Sequence, residues 1–218
     1  MNRRIIIEDI EPELVAYVER TIIPHYAEFD SAHGIDHVRT VIADSLRLAE
    51  HYPVVPAMVY TIAAFHDTGL RNGRERHHLD SGIILAGDPF VGAHFTPTEI
   101  TTMREAVEDH RASSERAPRT VYGRIVAEAD RIIDPEITLR RTVQYGLDHL
   151  PAATREEHYA RMQSHLRNKY AAGGYMRLWC PESGNAERLE QLRCIIADEA
   201  GLRRRFDEIY DSLHPYGR

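Results

Sequence analysis

Histidine is used freely in this chain, with 13 among 218 residues, and its placement says more than the count. His33 and His37 stand four apart, one turn of a helix. His66 and Asp67 are adjacent where the apolar run AAFHDTG ends. His77 and His78 open a further helical segment, and His110 closes another. Asp130 lies in the apolar stretch IVAEADRII. Neutral imidazole and carboxylate are the usual ligands of hard-to-borderline divalent metals. Burying an imidazole beside a carboxylate is costly unless both are paired or bound, and a cation removes that cost. Each piece alone also reads as an ordinary hydrogen-bonded core residue. The order His, His-Asp, His, His, Asp, with each piece on or at the end of a separate helix, favours a metal site. Beside it, LRNGRERHH supplies Arg71, Arg74 and Arg76, and Arg111 follows His110. A planar guanidinium bonds two phosphate oxygens at once, so these arginines are candidate anion binders.

The elements that must hold these residues read as helix after helix. Sustained alternation and Asn-Gly or Asp-Gly hairpins are missing, so an all-α fold is expected. Residues 11–29 predict an amphipathic helix, kinked or broken near Pro24. A loop over 30–34, containing Asp30 and Ser31, precedes a helix over 35–51. Pro56 starts a helix that stops near Gly69, followed by a polar loop over 70–76 and a short helix over 77–86. Thr96-Pro97-Thr98-Glu99 starts a helix running to about residue 111. A helix over 119–133 follows, and Pro135 opens the next, with Asp134 at that helix end. From about residue 155, two or three more amphipathic helices are expected, broken at Gly173-Gly174 and Pro181. Tyr122 and Tyr145 fall on apolar faces and read as core. Arg203, Arg204 and Arg205, balanced by Asp207 and Glu208, read as a solvated helix face.

HGIDHVRTV around His37, AAFHDTG around His66-Asp67 and AEADRI around Asp130, in that order, resemble the signature of the HD-domain superfamily of metal-dependent phosphohydrolases. The resemblance covers roughly residues 30–135. GRERHHLDSG, EAVEDHRASS and PRTVYGRIVAEADR look like a branch of small bacterial HD proteins. It implies one HD-type helical bundle over 1–218, with a core at about 30–135 and a C-terminal helical extension over about 136–218. It also implies His37, His66, Asp67 and Asp130 as metal ligands. HD proteins with a second metal add two histidines between the pair and the last Asp, and His78 and His110 match these by order. His78 is preferred over the adjacent His77 because its place at the helix opening resembles the family's common His-Glu step. The acid of that step is missing, since Leu79 follows and then Asp80.

The resemblance further implies one or two divalent ions (Mn, Fe, Co, Ni, Zn or Mg) and hydrolysis of a small phosphate ester, such as a nucleotide, by metal-activated water. Asp67 would bridge two ions, and His33 is a candidate proton donor, with Asp80 and Asp109 as further candidate acids. Arg71, Arg74, Arg76 and Arg111 would bind the substrate. Two alternatives stay open: a di-iron oxygenase on the same ligands, and a nucleotide sensor without turnover.

Bulk properties narrow the classes. Hydrophobic residues are 43% and charged residues 28%, as in a folded globular chain. The net charge of -7 gives no pull toward nucleic acid polymers or anionic membranes. Cys180 and Cys194 form no CxxC pair, which fits a reducing cytoplasm. The apolar run in MNRRIIIEDIEPEL is too short for a signal peptide. If the protein associates, a homodimer is the default expectation.

Overall fold

The computed structural model describes residues 4–30 and 32–213; Ser31 of the expected loop and the first three residues of the N-terminal run lie outside these. Among the described residues the fold is all-α, without strands. The helices are α1 (Pro12–Tyr17), α2 (Ile35–Ala49), α3 (Pro56–Phe65), α4 (His77–Gly87), α5 (Pro89–His94), α6 (Pro97–Glu108), α7 (Val121–Asp130), α8 (Pro135–His149), α9 (Arg155–Tyr170), α10 (Asn185–Ala197) and α11 (Glu199–Leu213). They form two compact units: the chain to Arg131 with Trp179–Ser183, and Ile132–Leu178 with the chain from Gly184.

In the first unit α3 is the central element. Every residue from Ala57 to Phe65 is buried, as an all-round apolar helix requires. α2, α4, α6 and α7 pack against it. α2 shows its neighbours a helical stripe, Val38, Val41, Ile42, Ser45, Leu46 and Ala49, all buried. α6 begins with a full capping box: Thr96 accepts from the Glu99 N–H, and Glu99 accepts from the Thr96 N–H. α7 carries the fully buried Glu128, whose Oε2 accepts from the backbone N–H of Trp179 at 2.6 Å and of Cys180 at 3.3 Å. Its Oε1 accepts from the Ser183 hydroxyl at 2.6 Å. That carboxylate is why Trp179–Ser183 belongs to this unit.

The segment over 11–29 is more broken than a kinked helix. α1 runs into a π-helical turn, Val18–Ile22, and then a 3-10 helix, Ile23–Glu28. Pro24 has no N–H to give and its ring crowds the preceding turn, so the α ladder cannot continue through it. The segment from Thr68 to Asn72, expected to be largely loop, is a 3-10 helix. Gly69 sits inside it and is no helix terminator: an added Cβ would lie 2.2 Å from the His77 carbonyl oxygen and 2.6 Å from the Ser81 nitrogen. Only glycine allows the start of α4 to approach this closely. The short α5 is an addition, capped by Asp88, which accepts from the Val91 N–H at 3.0 Å.

In the second unit Asp134 caps α8 by accepting from the Ile137 N–H at 2.9 Å. α8 packs with α9, α10 and α11. Arg203 pairs with Glu156 and Asp207, and Arg205 with Glu136, so these two arginines of the basic run lie in ion pairs. Tyr122 is partly buried against the first unit's core and accepts from the Val55 N–H. Tyr145 is not core: it is 47% exposed, with the His149 ring stacked at 4.0 Å and Arg161 over the ring. Both cysteines are free. No described helix is long and apolar enough to cross a membrane.

Candidate metal centre

Six ligand-type side chains meet in the first unit, all at or near helix ends. His37 stands in the first turn of α2, His66 and Asp67 directly follow α3, and His77 opens α4. His110 follows α6, and Asp130 ends α7. His37, His66, Asp67 and His110 are buried. His77 and Asp130 keep side-chain exposures of 15% and 22%.

Three of the imidazoles are oriented by one local device. His66 Nδ1 lies 2.8 Å from the Ala63 carbonyl oxygen, His77 Nδ1 2.8 Å from that of Arg74, and His110 Nδ1 2.6 Å from that of Val107. A carbonyl only accepts, so each Nδ1 carries a proton, and in the neutral ring Nε2 is a bare lone pair. Ala63 and Val107 both stand in the last turn of their helices, where the α-helical ladder of carbonyls runs out.

These nitrogens point at one another. His37 and His66 Nε2 are 3.3 Å apart, and His77 and His110 Nε2 are 3.2 Å apart. Facing lone pairs at that distance repel unless a proton or a cation sits with them. Asp67 lies between the two pairs and serves both. Its Oδ2 is 3.2 Å from His66 Nε2 and 3.7 Å from His37 Nε2. Its Oδ1 is 3.4 Å from His110 Nε2 and 3.5 Å from His77 Nε2. Asp130 Oδ1 joins the first pair, 3.2 Å from His37 Nε2 and 3.8 Å from His66 Nε2. The donors therefore divide into a four-donor half (His37, His66, Asp67, Asp130) and a three-donor half (Asp67, His77, His110). Both donor types suit a divalent cation, and the arrangement fits a metal site.

The electrostatics agree. Burial pulls the His37 imidazole down, but hydrogen bonds and charge from Asp130 and Asp67 outweigh it and push its pKa up to about 9. Burial would raise Asp67 and Asp130, yet the surrounding imidazoles hold both carboxyls well below their ordinary value. A proton on His37 thus stands in for part of the positive charge that the carboxylates demand. Asp67 is fixed from behind as well. Its backbone N–H donates to the Tyr26 hydroxyl oxygen at 3.2 Å, and that hydroxyl donates to the Ala64 carbonyl at 2.9 Å.

His37, His66, Asp67, Asp130 and His110 are all in the cluster. His78 is not, and the expectation for it is corrected: His77 occupies the place. Consecutive helical residues point about 100° apart. The bond from His77 to the Arg74 carbonyl selects which of the two faces Asp67. The His78 ring lies 5.6 Å from that of His77, and its Nδ1 is buried with no hydrogen-bond partner among the described residues. Burial, then the neighbouring His110, Arg111 and His77, pull its pKa down to about 4.

His33 sits at the edge of the cluster, its ring edge-on to that of His37 with centroids 5.8 Å apart. Its Nδ1 is 2.6 Å from Asp30 Oδ1, and Arg74 donates to Asp30 Oδ2 at 3.0 Å. Burial tends to raise the Asp30 carboxyl, but His33, the Ala32 N–H and Arg74 hold it below its ordinary value. Arg111 donates to the Glu75 carbonyl at 2.6 Å, tying down the loop before α4. Arg71 lines a separate cleft with Thr21, His25 and Asp88. Arg76 is an exposed residue whose backbone caps α4. The structure brings neither arginine to the six-residue cluster. Asp109 is engaged by Arg119, and Asp80 lies in the first turn of α4 against Gly69. Tyr26 and Asp30 are the site-bordering residues that the sequence did not single out. Tyr26 reaches Asp67, and Asp30 reaches Arg74, across long separations that leave no local pattern.

The sequence model of the HD domain matches residues 34–133, a span that holds all six ligand-type residues. The chain carries an HD domain. No curated protein and no solved structure matches it. HD domains bind divalent metals and are generally metal-dependent hydrolases, and the buried His/Asp cluster of this one fits that chemistry.

Proposed function

We propose that this HD protein is a phosphohydrolase that cleaves a small phosphate ester, a nucleotide or related metabolite, at a centre of two divalent ions. One observation carries the reading: the two oxygens of Asp67 each face a different pair of imidazole nitrogens. His37, His66, Asp67 and Asp130 would hold one ion, and Asp67, His77 and His110 the other. When bound, such ions supply an acidified water and a Lewis acid for phosphoryl oxygens. The chain's own residues do the rest. The Nδ1 bonds to Ala63, Arg74 and Val107 keep three imidazoles in the ligating tautomer. Tyr26 fixes the peptide of Asp67, and with it the carboxylate shared between the halves. A phosphoryl oxygen would complete the coordination that the protein donors leave open.

The experiment is a metal count per chain on wild type, Asp67→Ala and His77→Ala, followed by phosphate release from a panel of mono- and diesters by the Mn-loaded protein. Two ions in the wild type, with turnover on at least one ester, are expected. An iron-loaded protein that consumes oxygen, with no ester cleaved, would overturn the reading in favour of an oxygenase.

A further inference from the structure

Asp30 lies outside the six-residue cluster and holds two side chains at once. Its Oδ1 is 2.6 Å from His33 Nδ1 and also accepts from the Ala32 N–H at 3.0 Å. Its Oδ2 accepts from one terminal nitrogen of Arg74 at 3.0 Å. The other terminal nitrogen of Arg74 is 3.4 Å from His33 Nε2, which closes a three-membered ring of contacts. The chemistry of the partners decides the proton positions. A guanidinium only donates, so His33 Nε2 must offer its lone pair. An ionised carboxylate only accepts, so the proton of His33 is on Nδ1. The ring of contacts therefore selects one tautomer of His33 and one pose of Arg74 together.

Stability does not explain the arrangement. Side-chain exposures are 51% for Asp30 and 60% for Arg74, and exposed ion pairs of this kind stabilise a fold little. Position explains it better. His33, 20% exposed, has its ring against that of His37, so the group borders the four-donor half. It presents to an incoming ligand a cationic donor and a bare acceptor nitrogen side by side.

We propose that Asp30 is a positioning residue that holds Arg74 and His33 as one unit for the anionic phosphoryl group of the substrate. Arg74 exchanges its weak contact with His33 Nε2 for a phosphoryl oxygen, because a bond between two charged groups is stronger than one to a neutral imidazole. His33 Nε2 is thereby freed as an acceptor for a hydroxyl or water proton beside that group. The inference rests on the phosphohydrolase reading for its substrate, but not for its geometry.

Two measurements test it. The first is the His33 tautomer, read from imidazole nitrogen NMR shifts of the zinc-loaded protein: Nδ1-protonated in wild type, a tautomer mixture in Asp30→Ala. The second is competitive inhibition by inorganic phosphate of the Mn-loaded enzyme. Asp30→Ala and Arg74→Ala should each weaken it on the order of tenfold. The double variant should lose little more than either single one, with metal content unchanged. The proposal is overturned if Asp30→Ala leaves the tautomer and the phosphate affinity as they were, or if it acts by losing metal. A wild type that turns over no ester would sink the phosphohydrolase reading instead; the tautomer shift, which needs no substrate, would still decide the role of Asp30.

Discussion

Replacing Tyr26 with phenylalanine removes one oxygen atom from the floor of the metal centre. The side chain is wholly buried, and its hydroxyl serves two groups, accepting from the Asp67 N–H and donating to the Ala64 carbonyl. Burial, then the charge of Asp67, push its pKa well above the ordinary phenol value, so the native group is neutral and the substitution changes no charge. The ring remains, and with it the edge contact to Phe29 at 5.3 Å. The loss is therefore a hydrogen-bonding loss. A buried N–H left without a partner costs about 1–3 kcal/mol, and the Ala64 carbonyl loses one donor, so about 2 kcal/mol is expected. Denaturant unfolding of the metal-free protein should show this as a lower midpoint at unchanged slope. The same change loosens the peptide that aims Asp67, so metal affinity should fall on the order of tenfold or more, as for other groups that support ligands from behind. Stability within about 0.5 kcal/mol of wild type, together with unchanged metal affinity, would refute the reasoning. The Asp67 peptide would then be held by something other than Tyr26.

His77→Ala should lower the metal count by about one ion per chain, whereas His78→Ala should leave it unchanged; elemental analysis of the two variants separates them. In the metal-free protein His37 protonates with a pKa of about 9, raised from 6.5, so its contribution to stability is full below about pH 6.5 and is lost as pH rises through about 9. Metal displaces that proton, so affinity should climb up to about tenfold per pH unit below pH 9 and then flatten, with the release of about one proton visible by calorimetry in buffers of different ionisation enthalpy. Gly69→Ala would drive a methyl into the His77 carbonyl and should destabilise by about 1–3 kcal/mol, with the ion held by His77 and His110 lost before the other in a chelator titration. Glu128→Ala strips the acceptor from two backbone N–H groups and the Ser183 hydroxyl; a loss of about 3 kcal/mol or more is expected by thermal unfolding.

Residue types and helix ends made most of the centre legible. His37, His66-Asp67 and Asp130 are recognisable because metal chemistry restricts the types and each sits where a helix starts or stops. Choosing between His77 and His78 required the phase of α4, which is set by where Arg74 offers its carbonyl, and no local residue preference encodes that. Tyr26 and Asp30 reach Asp67 and Arg74 across separations of 41 and 44 residues, so only the folded chain reveals them. Gly69 was legible as a break, but its close contact with α4 is a tertiary fact. The missed α5 was different, since Asp88-Pro89 is a helix-start signal standing in plain view.

Because the six side chains of the cluster stand at or near helix ends, they stand where a helix is weakest. The first turn of α2, the last of α3, the first of α4 and the last turns of α6 and α7 are the segments that fray when a helix breathes. Two ions would together cap five helices, one holding the ends of α2, α3 and α7 and the other those of α3, α4 and α6. Their binding should slow amide exchange most in those terminal turns and least in the middle of α3, which the core already protects. Loss of the ions would then loosen the protein from its helix tips inward, with the apolar centre the last part to open.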